Sequence, residues 1–260
     1  MFVEKIVSDF SVLSHPNEFL EGVVLLVDKP AGWTSFDVVN KIRARIRKIL
    51  NVRKLKVGHA GTLDPLATGL VIICIGRATK GINTFMAHEK QYVARIRFGA
   101  TTPSFDLETE IDGEFPVDHI HEDLLKKTLL QFHGEQEQVP PVFSAVKIDG
   151  KRAYHKARKG EMIDLKARTV TFHEINMLSY DNVEANVHIR CSKGTYIRSF
   201  ARDLGKALDS GAHLTDLRRT GIGQFSVNEA MNIEDFDNQC DELKKRWLET
   251  GILQNDEAVN

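Results

Sequence analysis

Runs and alternations of hydrophobic residues predict a series of strands along the chain. Short apolar runs at residues 22–30 and 70–75 are typical of buried strands bounded by turns. Residues 91–100 alternate, which puts Tyr92 on the same side as Ala94, Ile96 and Phe98. Two further strands are predicted over residues 168–178 and 183–192.

Helical spacing separates these strands at several places. Residues 38–50 repeat hydrophobic positions at the helical period, and Thr34 or Ser35 supplies an N-cap with Asp37 in the first turn. Residues 124–132 and 197–208 show the same periodicity. Successive strands with few β-α-β units predict an α+β fold, a mixed and largely antiparallel central sheet with flanking helices.

Bulk properties indicate a globular protein of the cytoplasm. The 260 residues are 42% hydrophobic, which is enough for a buried core. Charged residues interrupt residues 1–21, so no signal peptide is expected, and no apolar segment reaches the roughly 18 residues of a membrane span. The three cysteines are far apart and argue against disulfides and a structural zinc site.

Charge is distributed unevenly although the formal net charge is only −1. Residues 38–63 hold eight lysines and arginines and no acid, whereas residues 229–260 hold nine acids against three bases. One end of the molecule could therefore bind phosphates while the other would repel them. Residues 144–160 form a second basic cluster, predicted as a hairpin closed at Asp149-Gly150 and then a basic helical turn. A basic face is as often merely solvated as it is a binding surface.

One carboxylate stands in an unusual setting, within GHAGTLDPLATG at residues 58–69. Three glycines permit close backbone approach, and Pro65 biases Asp64 toward an extended conformation. Asp64 thus precedes a buried strand with its direction set by the backbone. From this spacing alone it is either the cap of a turn or a residue placed for chemistry.

Several motifs, taken together and in order, resemble the TruB family of bacterial tRNA pseudouridine-55 synthases over residues 22–225. They are KPAGWTS (29–35), GHAGTLDP (58–65), the strand tyrosine Tyr92, PPVFSAVKIDGKRAY (140–154), CSKGTYIRS (191–199) and LRRTGIGQF (217–225). The resemblance implies the pseudouridine synthase fold and isomerisation of uridine 55 in the T-arm loop of tRNA, with no cofactor and no metal. The target nucleotide would be flipped out of its stack.

The resemblance also implies three catalytic residues. Asp64 corresponds to the catalytic aspartate, whose carboxylate can add to the base, attack the anomeric carbon or take the C2′ proton. Arg198 corresponds to the arginine that pairs with this aspartate and holds its charge. Tyr92 corresponds to the tyrosine that stacks on the target base and accepts or relays the C5 proton.

Other positions match residues that bind the substrate. His59 would help to displace the nucleotide, Lys29 would support the pocket or contact RNA, and Tyr196 and Leu217 would line the nucleotide pocket. Without the resemblance, each would be read as a core or loop residue. Contacts to the RNA backbone are expected from the basic helix and hairpin, through Arg43, Arg47, Lys147, Arg152 and Arg158.

The expected organisation is an N-terminal extension (1–21), a catalytic domain (22–225) and a short acidic C-terminal tail (226–260) without a PUA domain. The expected partner is the tRNA T-arm stem-loop, with no membrane, no protein partner and a monomeric state. An isolated T-arm should then react nearly as well as full tRNA.

Two other functions compete with this interpretation. The basic clusters alone fit an RNA-binding module without catalysis, which would bind RNA without turnover. An aspartate-nucleophile hydrolase of small molecules would need no basic helix. A Walker-type phosphate loop is excluded, because no Gly-Lys-Ser/Thr follows the glycines.

Overall fold

A computed structural model of the protein describes residues 5–143, 147–148, 151–152 and 165–253. The chain divides into two units, unit 1 (residues 1–88 and 219–260) and unit 2 (residues 89–218). The strands are β1 (Lys5–Val7), β2 (Val23–Lys29), β3 (Val57–His59), β4 (Thr68–Ile75), β5 (Lys90–Phe98), β6 (Ala100–Thr101), β7 (Gly113–Glu114), β8 (Gly134–Gln138), β9 (Lys147–Ile148), β10 (Lys151–Arg152), β11 (Arg168–Tyr180), β12 (Glu184–Cys191), β13 (Ala212–Ile222) and β14 (Phe225–Ser226). The α-helices are α1 (Asn17–Gly22), α2 (Ser35–Leu50), α3 (Ile82–Ala87), α4 (Glu122–Leu130), α5 (Ile197–Ala207) and α6 (Ile233–Glu249), and 3₁₀ turns cover Phe10–Val12, Gly76–Gly81 and Val227–Glu229.

Unit 1 is built on the apolar strands β2 and β4. They pair antiparallel from Val23 opposite Ile75 to Lys29 opposite Gly69, and β1 adds to β2 in parallel. β3 also pairs antiparallel with β4. Nearly every residue of β2 and β4 is buried, as expected for strands covered on both faces. The strands predicted at 22–30 and 70–75 are confirmed.

Helix α2 begins where the sequence predicts it. Thr34 is the N-cap and forms a capping box with Asp37, whose carboxylate accepts from the Thr34 backbone N–H. Val38, Ile42 and Ile46 are fully buried along one face. The helix ends at Asn51, which adopts the left-handed conformation common at helix C-termini.

The two oppositely charged segments lie side by side, so the expectation that they mark opposite ends of the molecule is wrong. Lys41 of α2 pairs with Asp237 of α6 at 2.7 Å, and Arg45 pairs with Asp241. A count of charges along a sequence does not reveal which charges meet after folding. Part of the basic face of α2 is therefore already neutralised within the protein.

The N-terminal segment and α6 form an aromatic cluster in unit 1. Phe10 packs edge-on against Phe19 and Phe236, with ring centroids 5.8 and 5.9 Å apart, and Phe19 packs against Trp247 at 6.4 Å. All four side chains are at most 2% exposed. Arg246 adds hydrogen bonds to two backbone carbonyls of the N-terminal segment. The residues predicted as an extension and a tail therefore share one core.

Replacing Trp247 with alanine should lower the free energy of unfolding by about 3–5 kcal/mol, because a large buried ring is lost. The indole N–H of Trp247 is buried without a hydrogen-bond partner among the described residues. Trp247→Phe keeps most of the ring and removes this N–H, so it should cost less than about 1.5 kcal/mol. Urea unfolding followed by circular dichroism measures the free energy of unfolding of both variants. Equal losses for Trp247→Ala and Trp247→Phe would contradict a stabilising role of the buried ring.

Unit 2 contains a sheet in the order β5-β12-β11-β8, in which all neighbours are antiparallel. Tyr92, Ala94, Ile96 and Phe98 are all buried, as the alternation predicts. Helices α4 and α5 also match the predicted helical segments. β13 supplies residues 212–218 to this unit and residues 219–222 to unit 1. The predicted mixed, largely antiparallel sheet with flanking helices is confirmed.

β9 and β10 pair antiparallel, with Ile148 opposite Lys151, as the predicted hairpin requires. The turn residues Asp149 and Gly150 and the basic helical turn after the hairpin lie outside the described residues.

Among the helices of the described residues, none has the length and hydrophobicity that a membrane span requires.

Candidate active site

The loop that carries Asp64 joins the antiparallel strands β3 and β4. Leu63 and Ala67 are buried within it, whereas Asp64 is half-buried. The N–H of Ala67 donates to the Asp64 carbonyl at 3.2 Å and closes a turn. Asp64 therefore stands at the end of a hairpin whose two strands belong to the core of unit 1.

Lys29 ties the motif at the end of β2 to this loop. Its side chain is fully buried, and Nζ donates to the carbonyls of Pro30, Trp33 and Pro65 at 2.9, 2.7 and 3.1 Å. The Pro65 carbonyl also accepts from the N–H of Gly32 at 2.9 Å. The residue directly after Asp64 is thus held from the KPAG turn.

The surroundings of Lys29 lower the pKa of its side chain. Burial lowers the pKa of Lys29 to about 8, the negative charge of Asp64 opposes this shift, and the positive charge of Arg219 adds to it. Near pH 7 the side chain is thus mostly an ammonium. Lys29 and Asp64 act on each other electrostatically, which fits the predicted place of Lys29 in the site.

Two residues that were not predicted as site residues also hold the Asp64 loop. Arg219 donates to backbone carbonyls at both ends of the loop, and Ser35 Oγ accepts from the N–H of Leu63 at 2.8 Å. Strand alternation carries a signal for Arg219, because Leu217 and Arg219 share a face of β13 and Leu217 was predicted to line the pocket. The sequence did not indicate this role for Ser35, because the residue was interpreted only as a helix cap.

His59, the last residue of β3, is half-buried in the same unit. Burial lowers the pKa of His59, and the positive charge of Arg219 lowers it further. The imidazole is therefore neutral near pH 7. A neutral ring suits the predicted steering role of His59.

In unit 2, Tyr92 lies on β5 opposite Ile189 of β12, and its side chain is 8% exposed. Leu217 lies on β13 and is 7% exposed. Both side chains belong to strands, which restricts their orientation more than a loop would. These positions agree with the packing role that each residue would have without any RNA, so the pocket roles stay predictions.

Arg198 is the second residue of α5. A residue at the start of a helix can lie at the surface, but Arg198 is buried and only 4% exposed. Its Nε lies 3.5 Å from Oδ2 of Asp106. The two terminal nitrogens donate to the carbonyls of Ser104 at 3.2 Å and Phe143 at 3.0 Å. The planar guanidinium is thus oriented from several sides. Pairing of Arg198 with Asp64 stays a prediction.

Asp106 was missed by sequence reasoning. It is buried, and its Oδ1 accepts from the N–H of Glu108 at 2.9 Å. Its backbone carbonyl accepts from the hydroxyls of Thr102 and Ser104. The loop is irregular, so no periodic pattern marks this carboxylate as a partner of Arg198.

Tyr196 is the N-cap residue of α5 and is half-buried. Gln138 fixes its backbone, accepting from the Tyr196 N–H at 2.8 Å and donating to its carbonyl at 3.1 Å. The guanidinium carbon of Arg168 lies 4.5 Å from the centre of the Tyr196 ring. The tyrosine face is thus packed against a cation.

The structure groups the predicted site residues in two sets. Unit 1 holds Lys29, His59 and Asp64, and the electrostatic coupling described above connects Lys29 to Asp64. Unit 2 holds its own set, which consists of Tyr92, Tyr196, Arg198 and Leu217.

The predicted RNA-backbone residues are described only in part. Arg47 of α2 is exposed. Arg43 is half-buried, donates to the Val57 carbonyl at 3.0 Å and lies 6.0 Å from the centre of the Phe36 ring. Arg158 and the side chains of Lys147 and Arg152 lie outside the described residues.

Comparison with known protein families decides the class of this protein. Residues 47–197 match the N-terminal domain model of the TruB family of pseudouridylate synthases. Residues 198–260 match a C-terminal domain model of tRNA pseudouridylate synthase B. The chain belongs to the TruB family.

Curated TruB relatives resemble the chain over almost their whole length. A tRNA pseudouridine synthase B from Phocaeicola vulgatus is 55% identical, with 86% of this chain and 95% of that protein covered. The protein of the same name from Bacteroides thetaiotaomicron is 52% identical, with 93% and 99% covered.

Solved structures share the TruB-family fold. One chain in a crystal structure of a Cbf5-Nop10-Gar1 complex is 30% identical with a TM-score of 0.65, over 92% of this chain and 61% of that chain. A structure of an H/ACA RNP bound to a substrate RNA containing 2′-deoxyuridine gives 27% identity and a TM-score of 0.61, over 89% and 56%. This protein thus spans less than two thirds of those chains.

Proposed function

We propose that this TruB-family enzyme isomerises uridine 55 in the T-arm loop of tRNA to pseudouridine. The observation that carries the proposal is the Asp64 loop, in which one carboxylate is presented by a backbone held from β2, α2 and β13. A relative named tRNA pseudouridine synthase B that is 55% identical over 86% of the chain supports tRNA as the substrate.

The reaction breaks the bond between N1 and C1′ and forms a bond between C5 and C1′. The proton on C5 leaves and N1 gains one, so the atoms balance without a reductant or a second substrate. Asp64 supplies the ionised oxygen for this step, by addition to the base, attack at C1′ or removal of the C2′ proton. The negative charge of Asp64 and the positive charge of Lys29 act on each other electrostatically.

The other predicted site residues receive roles in the same reaction. Arg198, held by Asp106 and by backbone carbonyls, is positioned to interact with an anion. Tyr92 receives the flipped base, and stacking of a base on an aromatic ring is worth about 1–3 kcal/mol. His59, neutral near pH 7, fills the space from which the nucleotide is displaced. Tyr196 and Leu217 line the pocket around the base.

RNA binding is assigned mainly to the backbone of the T-arm. A-form RNA hides its base edges in a deep major groove, so phosphates and loop shape carry recognition. Arg47 is exposed on α2, whereas Lys41 and Arg45 are engaged with α6. We propose that Arg43, Arg47, Lys147, Arg152 and Arg158 contact the RNA backbone. We also propose that the enzyme is a monomer and that it acts in the cytoplasm.

Incubation of wild-type protein with unmodified tRNA transcript tests the proposal. Pseudouridine mapped by carbodiimide treatment and primer extension should appear at position 55, and a transcript with cytidine at that position should gain none. An isolated T-arm stem-loop should also react, because it presents the same uridine and the neighbouring phosphates. Salt-sensitive tRNA binding without any pseudouridine would instead support the non-catalytic RNA-binding module.

A further inference from the structure

The backbone on both sides of Asp64 is bonded to side chains from distant parts of the sequence. Arg219 is 1% exposed, and all three of its guanidinium nitrogens donate to carbonyls. Nε donates to Leu70 at 2.7 Å, one terminal nitrogen to Thr62 at 3.2 Å and the other to Gly61 at 3.3 Å. A single planar group thus connects the start of the Asp64 loop to the strand that follows it.

Arg219 itself has little freedom to move. It lies within β13, and Gly69 of β4 approaches its backbone so closely that a Cβ there would lie 2.2 Å from the Arg219 carbonyl oxygen. Gly69 also has a φ of +109°, which other residues rarely adopt. The close contact of the two backbones holds the base of the Arg219 side chain in place.

Ser35 makes a second, independent attachment. Its hydroxyl is 1% exposed, accepts from the N–H of Leu63 at 2.8 Å and lies 3.2 Å from the Leu63 carbonyl. Ser35 is the first residue of α2, and the capping box formed by Thr34 and Asp37 fixes that helix start. Leu63 directly precedes Asp64, so this bond sets the position of the peptide that enters the catalytic residue.

We propose that Arg219 and Ser35 are positioning residues for Asp64. They hold the backbone of residues 61–63 so that the carboxylate points at the reacting ribose and base, and neither residue touches the RNA. The proposal rests on the proposed function of Asp64. We call the contacts of Arg219 and Ser35 with residues 61–63 and 70 the clamp. A displacement of a reacting group by about 1 Å can cost about 100-fold in rate, so loss of the clamp affects chemistry more than binding.

The kinetic test separates positioning from general stability. Arg219→Met is compared with Arg246→Met, because Arg246 also donates to two backbone carbonyls in unit 1, those of Phe10 and Leu13, but away from the Asp64 loop. Single-turnover rates of pseudouridine formation and tRNA dissociation constants are measured at a temperature where circular dichroism shows each variant folded. Arg219→Met should slow the chemical step about 100-fold and change the dissociation constant less than about threefold. Arg246→Met should change neither quantity by more than about threefold.

Two further variants identify how the clamp works. Arg219→Lys keeps the charge but not the planar fork, so about a tenfold loss of rate is expected, whereas a purely electrostatic role predicts the wild-type rate. If Arg219 variants do not fold, Ser35→Ala tests the same clamp and should lose about tenfold in rate. Its control is Ser210→Ala, because Ser210 is buried and donates to a single carbonyl, that of Pro116, at 2.9 Å.

The outcomes distinguish this proposal from the proposed function. A wild-type protein that forms no pseudouridine removes the function and the positioning role together. A wild type that is active, with folded Arg219→Met or Ser35→Ala reacting at the wild-type rate, removes the positioning role alone. Parallel losses of rate and tRNA affinity would also overturn it.

Discussion

Asp64→Asn is expected to abolish pseudouridine formation while leaving tRNA binding intact. The amide has nearly the same shape, so the hydrogen bonds of the loop backbone persist, but it has no ionised oxygen to attack or to take a proton. The single-turnover rate should fall by at least about 10⁴-fold, as for loss of a nucleophile or of its charged partner in other enzymes. Quench-flow assays with labelled tRNA measure the rate, and filter binding measures the affinity.

Asp118→Asn is a matched control for this substitution, because it removes one carboxylate from unit 2 in the same way. It should keep the wild-type rate within about threefold, as surface substitutions usually do. Residual activity of Asp64→Asn above about one hundredth of the wild-type rate would show that another group performs the chemistry.

Arg198→Lys should slow the reaction by about 10²–10³-fold although the positive charge remains. The three nitrogens of the planar guanidinium contact Asp106 and the carbonyls of Ser104 and Phe143. Lysine has a single terminal nitrogen and cannot reproduce this arrangement, so the positive charge would be misplaced. The loss should appear in the single-turnover rate with little change in the tRNA dissociation constant.

The matched control for Arg198 lies one helical turn further along α5. Arg202 contacts Asp203 at 2.7 Å and the Val139 carbonyl at 3.2 Å, so Arg202→Lys also exchanges a guanidinium that binds a carboxylate and a carbonyl. It should keep the rate within about threefold. Equal losses for the two substitutions would mean that Arg198 acts only through the stability of α5.

Much of the framework was predictable because local physics decides it. Burial on both faces makes β2 and β4 continuous apolar runs, and a capping box marks the start of α2 at Thr34. Alternation placed Tyr92 correctly among buried neighbours on β5. Such patterns depend on residues close together in sequence, and they do not depend on the rest of the fold.

The contacts that shape the site were less predictable, because they join distant positions. Asp106 and Arg198 are 92 positions apart, and nothing in the irregular loop around Asp106 announces an ion pair. The same holds for Lys41 and Asp237, whose opposite charges were assigned to different ends of the molecule and in fact meet. The family resemblance supplied Asp64 and Lys29, but not Arg219 and Ser35, which also hold the Asp64 loop.

The clamp on the Asp64 loop also has a consequence for synthesis on the ribosome. The loop is translated early, but Arg219 emerges about 150 residues later, and Phe236 and Trp247, which complete the aromatic cluster with Phe10 and Phe19, emerge later still. Chains grow from the N-terminus at roughly 5–20 residues per second, so the nascent loop waits for many seconds without its anchor. The Asp64 loop therefore gains this anchor only late in synthesis, and a chain that still lacks Arg219 should modify RNA at least about 100-fold more slowly.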